Sequence, residues 1–218
     1  HVDFFSYCEE LLLRYAEREE VMGISGDNSV GLHWQSDKAS YCFTQPALIW
    51  GWASWRRAWS HYETSLSTWP ALRRDTARLA KIWPDRHERR WQVNQLDRLS
   101  AQQTPPSWDA VWNYTVAYNG GLFCVPRTNL VSNIGFGSHA THTMNPTHPR
   151  ARVDTESILP LSHPNHVCRN LRVERQIFDR VHGGWWRRHL ALRALKPMFK
   201  RTWVKRILVN RSTSIATK

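Results

Sequence analysis

The 218-residue chain lacks the short patterns that mark the commonest soluble enzymes: no H-E-x-x-H, no G-x-S-x-G elbow and no phosphate-binding P-loop. Its four cysteines (Cys8, Cys42, Cys124, Cys168) form no C-x-x-C pair, which argues against a zinc knuckle or a redox motif and for reduced, buried thiols. No apolar run approaches the roughly 18 residues that a membrane span needs. Glycine and proline stand at ordinary levels, 10 and 11, which excludes low-complexity disorder as the class. There are no internal repeats. No cleavable signal opens the chain, and His1 falls inside what reads as an amphipathic helix, so further N-terminal sequence is expected.

Acidic residues are scarce in one place only. From residue 169 to the end there are 14 Lys/Arg and two acids, Glu174 and Asp179, so the whole net charge of +12 falls there. Residues 1–168 are neutral. The division suggests a main domain, 1–168, and a basic amphipathic tail, 169–218, with a hinge at Gly183-Gly184 and a break at Pro197.

What the sequence has in abundance is tryptophan, 13 in all, and four of these crowd into "ALIWGWASWRRAW", residues 47–59. A core can use tryptophan only if each indole N–H finds a partner. A glycine among tryptophans also suits a platform on which a ring-shaped ligand stacks close to the backbone.

Periodicity predicts a first helix with Phe4, Phe5, Cys8, Leu11, Leu12 and Tyr15 on one stripe. "VMGISGDN" predicts a buried strand ending in a polar turn, and "ASYCFTQ" and "LFCVP" predict two more. "SWRRAWSHYE" predicts a helix with Ser54 as N-cap, and residues 71–101 one or two surface helices interrupted near Pro84. "TPPSWDAVWNYTVAYNGG" predicts a helix capped by Ser107 and stopped at Gly120-Gly121. Strands alternating with helices argue an α/β class, with too few strands for a complete doubly wound sheet.

Asp109 falls in the first turn of that last helix, where the helix dipole favours a carboxylate. Beside Trp108 and Trp112 it is also placed as a base for a sugar hydroxyl. His139 and His142 in "GSHATHT" have the spacing of paired ligands, although five of the 11 histidines lie in 139–166, a region that reads as solvated loop. The D-x-E formed by Asp154 and Glu156 also reads as loop.

The stretches "FFSYCEELLLRY", "ISGDN", "IWGWASWRRAW", "SWDAVW" and "NLVSNIGFGSHATHT", in this order, resemble a bacterial family of family-2-like nucleotide-diphospho-sugar transferases with a GT-A fold, some labelled haemolysin-like. The resemblance covers about residues 1–165. It implies a Rossmann-like transferase domain from which the N-terminal nucleotide-binding half and the metal-binding D-x-D are missing. It implies Asp109 as catalytic base and Trp50, Gly51, Trp52, Arg56 and Trp108 as the acceptor site, with Arg57 beside Arg56. It further implies His142 as a ligand to Mn²⁺ or Mg²⁺, whose main acidic ligands lie upstream. The expected partners are a nucleotide-sugar donor and a glycan or lipid-linked acceptor.

The tail, with Trp185, Trp186, Leu190, Leu192, Leu195, Phe199 and Trp203 among its basic residues, suits an anionic membrane surface, which implies a cytoplasmic protein peripheral to the inner face of the membrane. The competing class is a non-catalytic basic module that binds membrane or nucleic acid. Nucleic acid ranks lower, because the neutral main domain offers no groove of positive charge.

Overall fold

The computed structural model describes residues 1–34, 38–102, 107–137, 145 and 147–189. The chain opens with helix α1 (Asp3–Arg14) and strand β1 (Val21–Ser25). Strands β2 (Tyr41–Thr44) and β3 (Trp52–Ala53) follow. Next come helices α2 (Arg56–Trp59), α3 (Trp69–Leu72), α4 (Thr76–Ile82), α5 (Arg86–Ser100) and α6 (Trp108–Tyr118). Strand β4 (Leu122–Pro126) and helices α7 (Leu171–Val181) and α8 (Gly184–Arg188) complete the described elements. The architecture is mixed α/β.

The sheet has the order β2-β4-β1-β3, with β1 and β4 parallel and both outer strands antiparallel to their neighbours. Its central strands are buried on both faces, as their near-continuous apolar sequences require. Alternation along β4 sends Leu122 and Cys124 to one face and Phe123 and Val125 to the other. The first face packs on Tyr7, Cys8 and Leu11 of α1. The second packs on Trp112 and Val116 of α6 and on Val173 and Ile177 of α7. Gly23 lets the ring of Phe123 lie across β1, where a Cβ would fall 2.1 Å from its Cζ.

Several sequence expectations are corrected here. Phe5 is 74% exposed; one residue on from Phe4 it is rotated by about 100°, off the buried stripe, and Tyr7 is buried instead. Ser54 does not cap α2: its Oγ donates to the Met22 carbonyl at 2.8 Å, and Trp55 occupies the N-cap position. Ser107 is at the N-cap position of α6 without making the capping bond. Cys8, Cys42 and Cys124 are buried, and burial pushes the Cys8 thiol up to about 12; Cys168 is exposed.

The basic stretch begins inside the fold. Asn170 N–H donates to the Phe43 carbonyl at 2.8 Å, and Val173, Ile177 and Phe178 of α7 are buried. Arg169 pairs with Glu174 at 2.7 Å, and Arg188 of α8 pairs with Asp85 at 2.8 Å and with Asp179. Residues 169–189 therefore pack with the main body, and Gly183-Gly184 joins two docked helices. Pro197, Leu190, Leu192 and Leu195 lie outside the described residues. No described helix is long and apolar enough to cross a membrane.

Candidate functional site

In open α/β sheets, ligands are held by the loops that follow the C-terminal ends of parallel strands. Here those loops begin at Gly26 after β1 and at Arg127 after β4, and the tryptophan segment crosses them. Gly26 N–H donates to the Gly51 carbonyl at 2.7 Å. Gly51 adopts φ +60°, and a Cβ there would meet Val131 Cγ1 at 2.4 Å. Only glycine fits at so close an approach.

Trp50 and Trp52 diverge from this point. Trp52 stacks on Trp108 with centroids 5.6 Å apart and planes 22° apart. It also touches Trp59 and Trp112. Trp59 in turn lies parallel to Tyr62 at 4.6 Å. Trp108 and Trp59 are 42% and 40% exposed, so the cluster opens to solvent. Trp112 is fully buried beneath it, and among the described residues its Nε1 has no acceptor. An orphaned buried donor costs about 1–3 kcal/mol.

Asp109 lies at the edge of this cluster. Its side chain is partly exposed and accepts a hydrogen bond from Ser107 Oγ, the bond that replaces the expected cap. Burial first, and then the charge of Asp109, raise the Tyr62 hydroxyl above its ordinary pKa, which places Tyr62 within electrostatic reach of the carboxylate. Asn113 fixes the helix against the tryptophan segment: its Oδ1 accepts from Ala47 N–H at 2.8 Å, and its Nδ2 donates to the Asp109 carbonyl at 3.0 Å. The arrangement is a carboxylate beside stacked, half-open indoles.

Beside the cluster, between β3 and α2, is a cavity of about 270 Å³ lined by Trp52, Ala53, Ser54, Trp55, Arg56 and Trp59. The neighbouring arginines behave differently. Arg57 donates to the carbonyls of Ala16 and Tyr15, both at 2.8 Å, and covers the Trp55 ring. Arg56 is exposed at the cavity.

Trp50 goes elsewhere. It packs edge-on against Phe136 at 5.6 Å and lies under the Arg150 guanidinium at 3.9 Å. Arg150 pairs with Asp27 at 2.8 Å, and Asp27 is 1% exposed. Asp27 also accepts from Ser29 N–H at 2.8 Å. His148 stacks on Phe136 at 5.2 Å, and burial, then Arg150, hold its pKa below the usual histidine value.

The structure thus brings together Trp52, Trp108, Asp109 and the rim residue Arg56, with Gly51 as the pivot, and puts Trp50 in a separate network. His139 and His142 lie outside the described residues. Among the described residues no group of His, Cys, Asp and Glu is placed to hold a metal ion. Asp27, the most buried carboxylate near the strand ends, is already engaged by Arg150. The described residues do not by themselves fit a Mn²⁺ or Mg²⁺ site.

Asp154 and Glu156 engage Asn129 through backbone: Asn129 Nδ2 donates to the Asp154 carbonyl and Glu156 N–H to the Asn129 carbonyl, both at 3.0 Å. The sequence did not single out Arg150 and Phe136, and it marked Asp27 only as part of a polar turn. The only local signal for Asp27 was an acid directly after a buried strand. Comparisons with protein-family models, with curated proteins and with solved structures found no match.

Proposed function

We propose that this chain carries the acceptor side of a glycosyltransferase that moves a sugar from a nucleotide-sugar donor to a hydroxyl of a glycan or glycolipid. The observation that carries the proposal is the partly exposed Asp109 carboxylate bordered by Trp108 and Tyr62, on a cluster of stacked indoles. The parallel β1–β4 pair, covered by helices on both faces, supports placing it in the acceptor part of a GT-A-type fold.

In this reading the apolar face of the acceptor sugar stacks on Trp108 and Trp52. A carboxylate oxygen of Asp109 takes the proton of the attacking hydroxyl as that oxygen bonds to the donor's anomeric carbon. The bond from that carbon to the nucleotide's phosphate oxygen breaks, and its electron pair leaves with the nucleoside diphosphate. Ser107 orients the carboxylate.

The test is release of nucleoside diphosphate by the full gene product, assayed against a panel of nucleotide sugars and glycan acceptors. Asp109→Asn should lower turnover by about 10² or more with the circular dichroism spectrum unchanged. An unchanged rate removes the assignment.

The same reading places the protein at an anionic membrane surface. Residues 190–218 carry eight Lys/Arg and no acid, each basic residue contributing on the order of 1 kcal/mol near such a surface. Removal of residues 190–218, which leaves α8 docked, should release the protein from phosphatidylserine vesicles; persistent binding would contradict the placement.

A further inference from the structure

We propose that the cavity between β3 and α2 binds an acidic sugar unit, one bearing a carboxylate or a phosphate, with Arg56 as its anion receptor. The proposal rests on the transferase reading only in making that unit part of the acceptor.

Two polar side chains around the cavity are already engaged. Ser54 Oγ donates to Met22 O, and Trp55 Nε1 donates to Leu12 O at 3.0 Å. Among the described residues nothing accepts from the Arg56 guanidinium or from the indole N–H groups of Trp52 and Trp59. Apart from the lone pairs of Ser54 Oγ, the uncommitted polar side-chain groups of the described cavity lining are therefore donors, and no acid is among its lining residues.

A neutral sugar presents hydroxyls that both donate and accept, so such a lining matches it only in part. A carboxylate or phosphate accepts only, and the planar guanidinium fork fits either one with two parallel bonds. The indole walls supply the apolar contact that a sugar ring's C–H face requires. At about 270 Å³ the cavity lies just below the roughly 300–1,000 Å³ of pockets that enclose drug-sized molecules, which suits one ring rather than a chain.

The contrast with Arg57 strengthens the assignment. An arginine needed only for packing would be engaged as Arg57 is, with its donors on backbone carbonyls and its plane on an indole. Arg56, the adjacent residue, has none of these partners and is exposed at an aromatic cavity.

The test uses the full chain and ligand-observed NMR titration with three probes: methyl β-D-glucuronide, glucose 6-phosphate and the neutral methyl β-D-glucoside. At least one anionic probe should bind about 10-fold or more tighter than the neutral one. Arg56→Gln should bring the three within about twofold of one another, whereas Arg74→Gln, at an exposed arginine of α3's C-terminal turn, should leave the preference intact. The tighter of the two anionic probes identifies the source as a uronic acid or a sugar phosphate. Equal binding of the three probes, no binding by any, or a preference that survives Arg56→Gln overturns the proposal. The readout needs no turnover. An anion preference in a full gene product that transfers no sugar would remove the transferase reading and keep the cavity; transfer by it to neutral acceptors that ignores Arg56→Gln would do the reverse.

Discussion

Trp50 and Trp52 are separated by one glycine and enter regions of opposite character. On the Trp50 side the buried charges compensate one another: Asp27 is buried against Arg150, and Arg150 lies on the indole. On the Trp52 side the carboxylate of Asp109 is open, has Ser107 as its side-chain partner, and borders indoles that are themselves two-fifths exposed. A desolvated, compensated ion pair holds loops in place. A carboxylate left accessible beside aromatic faces is available to a ligand. The difference separates a residue that builds the site from one that works in it.

The largest effect expected from this contrast is on stability. Arg150→Met leaves Asp27 buried without its cation and should lower the unfolding free energy by about 3–5 kcal/mol, read from urea denaturation. A loss under about 1 kcal/mol would mean that the Trp50 side is no more closed than the Trp52 side. Asp109→Asn should show the opposite signature: turnover lower by about 10² or more, and unfolding free energy within about 0.5 kcal/mol of the unaltered chain. If it destabilises as much as Arg150→Met does, Asp109 belongs to the framework.

Glu88 sharpens the comparison as a buried acid that, among the described residues, lacks the direct arginine that Asp27 has. Burial first, then Glu174 and Asp85, raise its pKa to about 7, with Arg169 and Arg188 opposing. A carboxyl raised in the folded state holds its proton there while the unfolded chain releases it, so this group lowers stability as pH rises from about 4.5 to 7. Glu88→Gln should match the unaltered protein below pH 4.5 and exceed it above pH 7 by on the order of 2–3 kcal/mol, measured as unfolding free energy across that range. His182 tilts the other way. Burial, with Arg150 and Arg187, lowers its pKa to about 4, so its contribution is lost as pH falls from 6.5 towards 4. A Glu88→Gln advantage that appears below pH 4.5 would contradict this account.

The smallest effect is expected at Ser107. Its hydroxyl orients Asp109 and does not cap α6, so Ser107→Ala should slow turnover several-fold, in keeping with one hydrogen bond of about 1 kcal/mol. A loss of stability near the roughly 1 kcal/mol of a lost cap, with turnover unchanged, would restore the capping role.

Much of this was legible residue by residue. "LFCVP" and "VMGIS" became the buried central strands because continuous short apolar runs are stable only when covered on both faces. The helix from Trp108 to Tyr118 ended at its glycines, and α4 and α5 separated at Pro84, because capping and breaking are settled by neighbours in sequence. Asp109 was visible among its tryptophans for the same reason.

Other features depended on segments far apart in the chain. Asp27 and Arg150 are 123 residues apart, and nothing near either one marks the other as its partner. Arg56 and Arg57 are chemically identical neighbours, and only the passage of Tyr15 and Ala16 beneath α2 engages one and leaves the other exposed. The charge of residues 169–189 obscures in sequence Val173, Ile177 and Phe178, which sheet and helices bury. Periodicity, caps and breakers are written locally, so the sequence by itself determined most of the elements, though not β3 or α3, and placed Asp109 among its tryptophans. Which charges are compensated, and which face of an element is covered, follow from contacts that exist only once the chain has closed on itself, and those the tertiary structure decided.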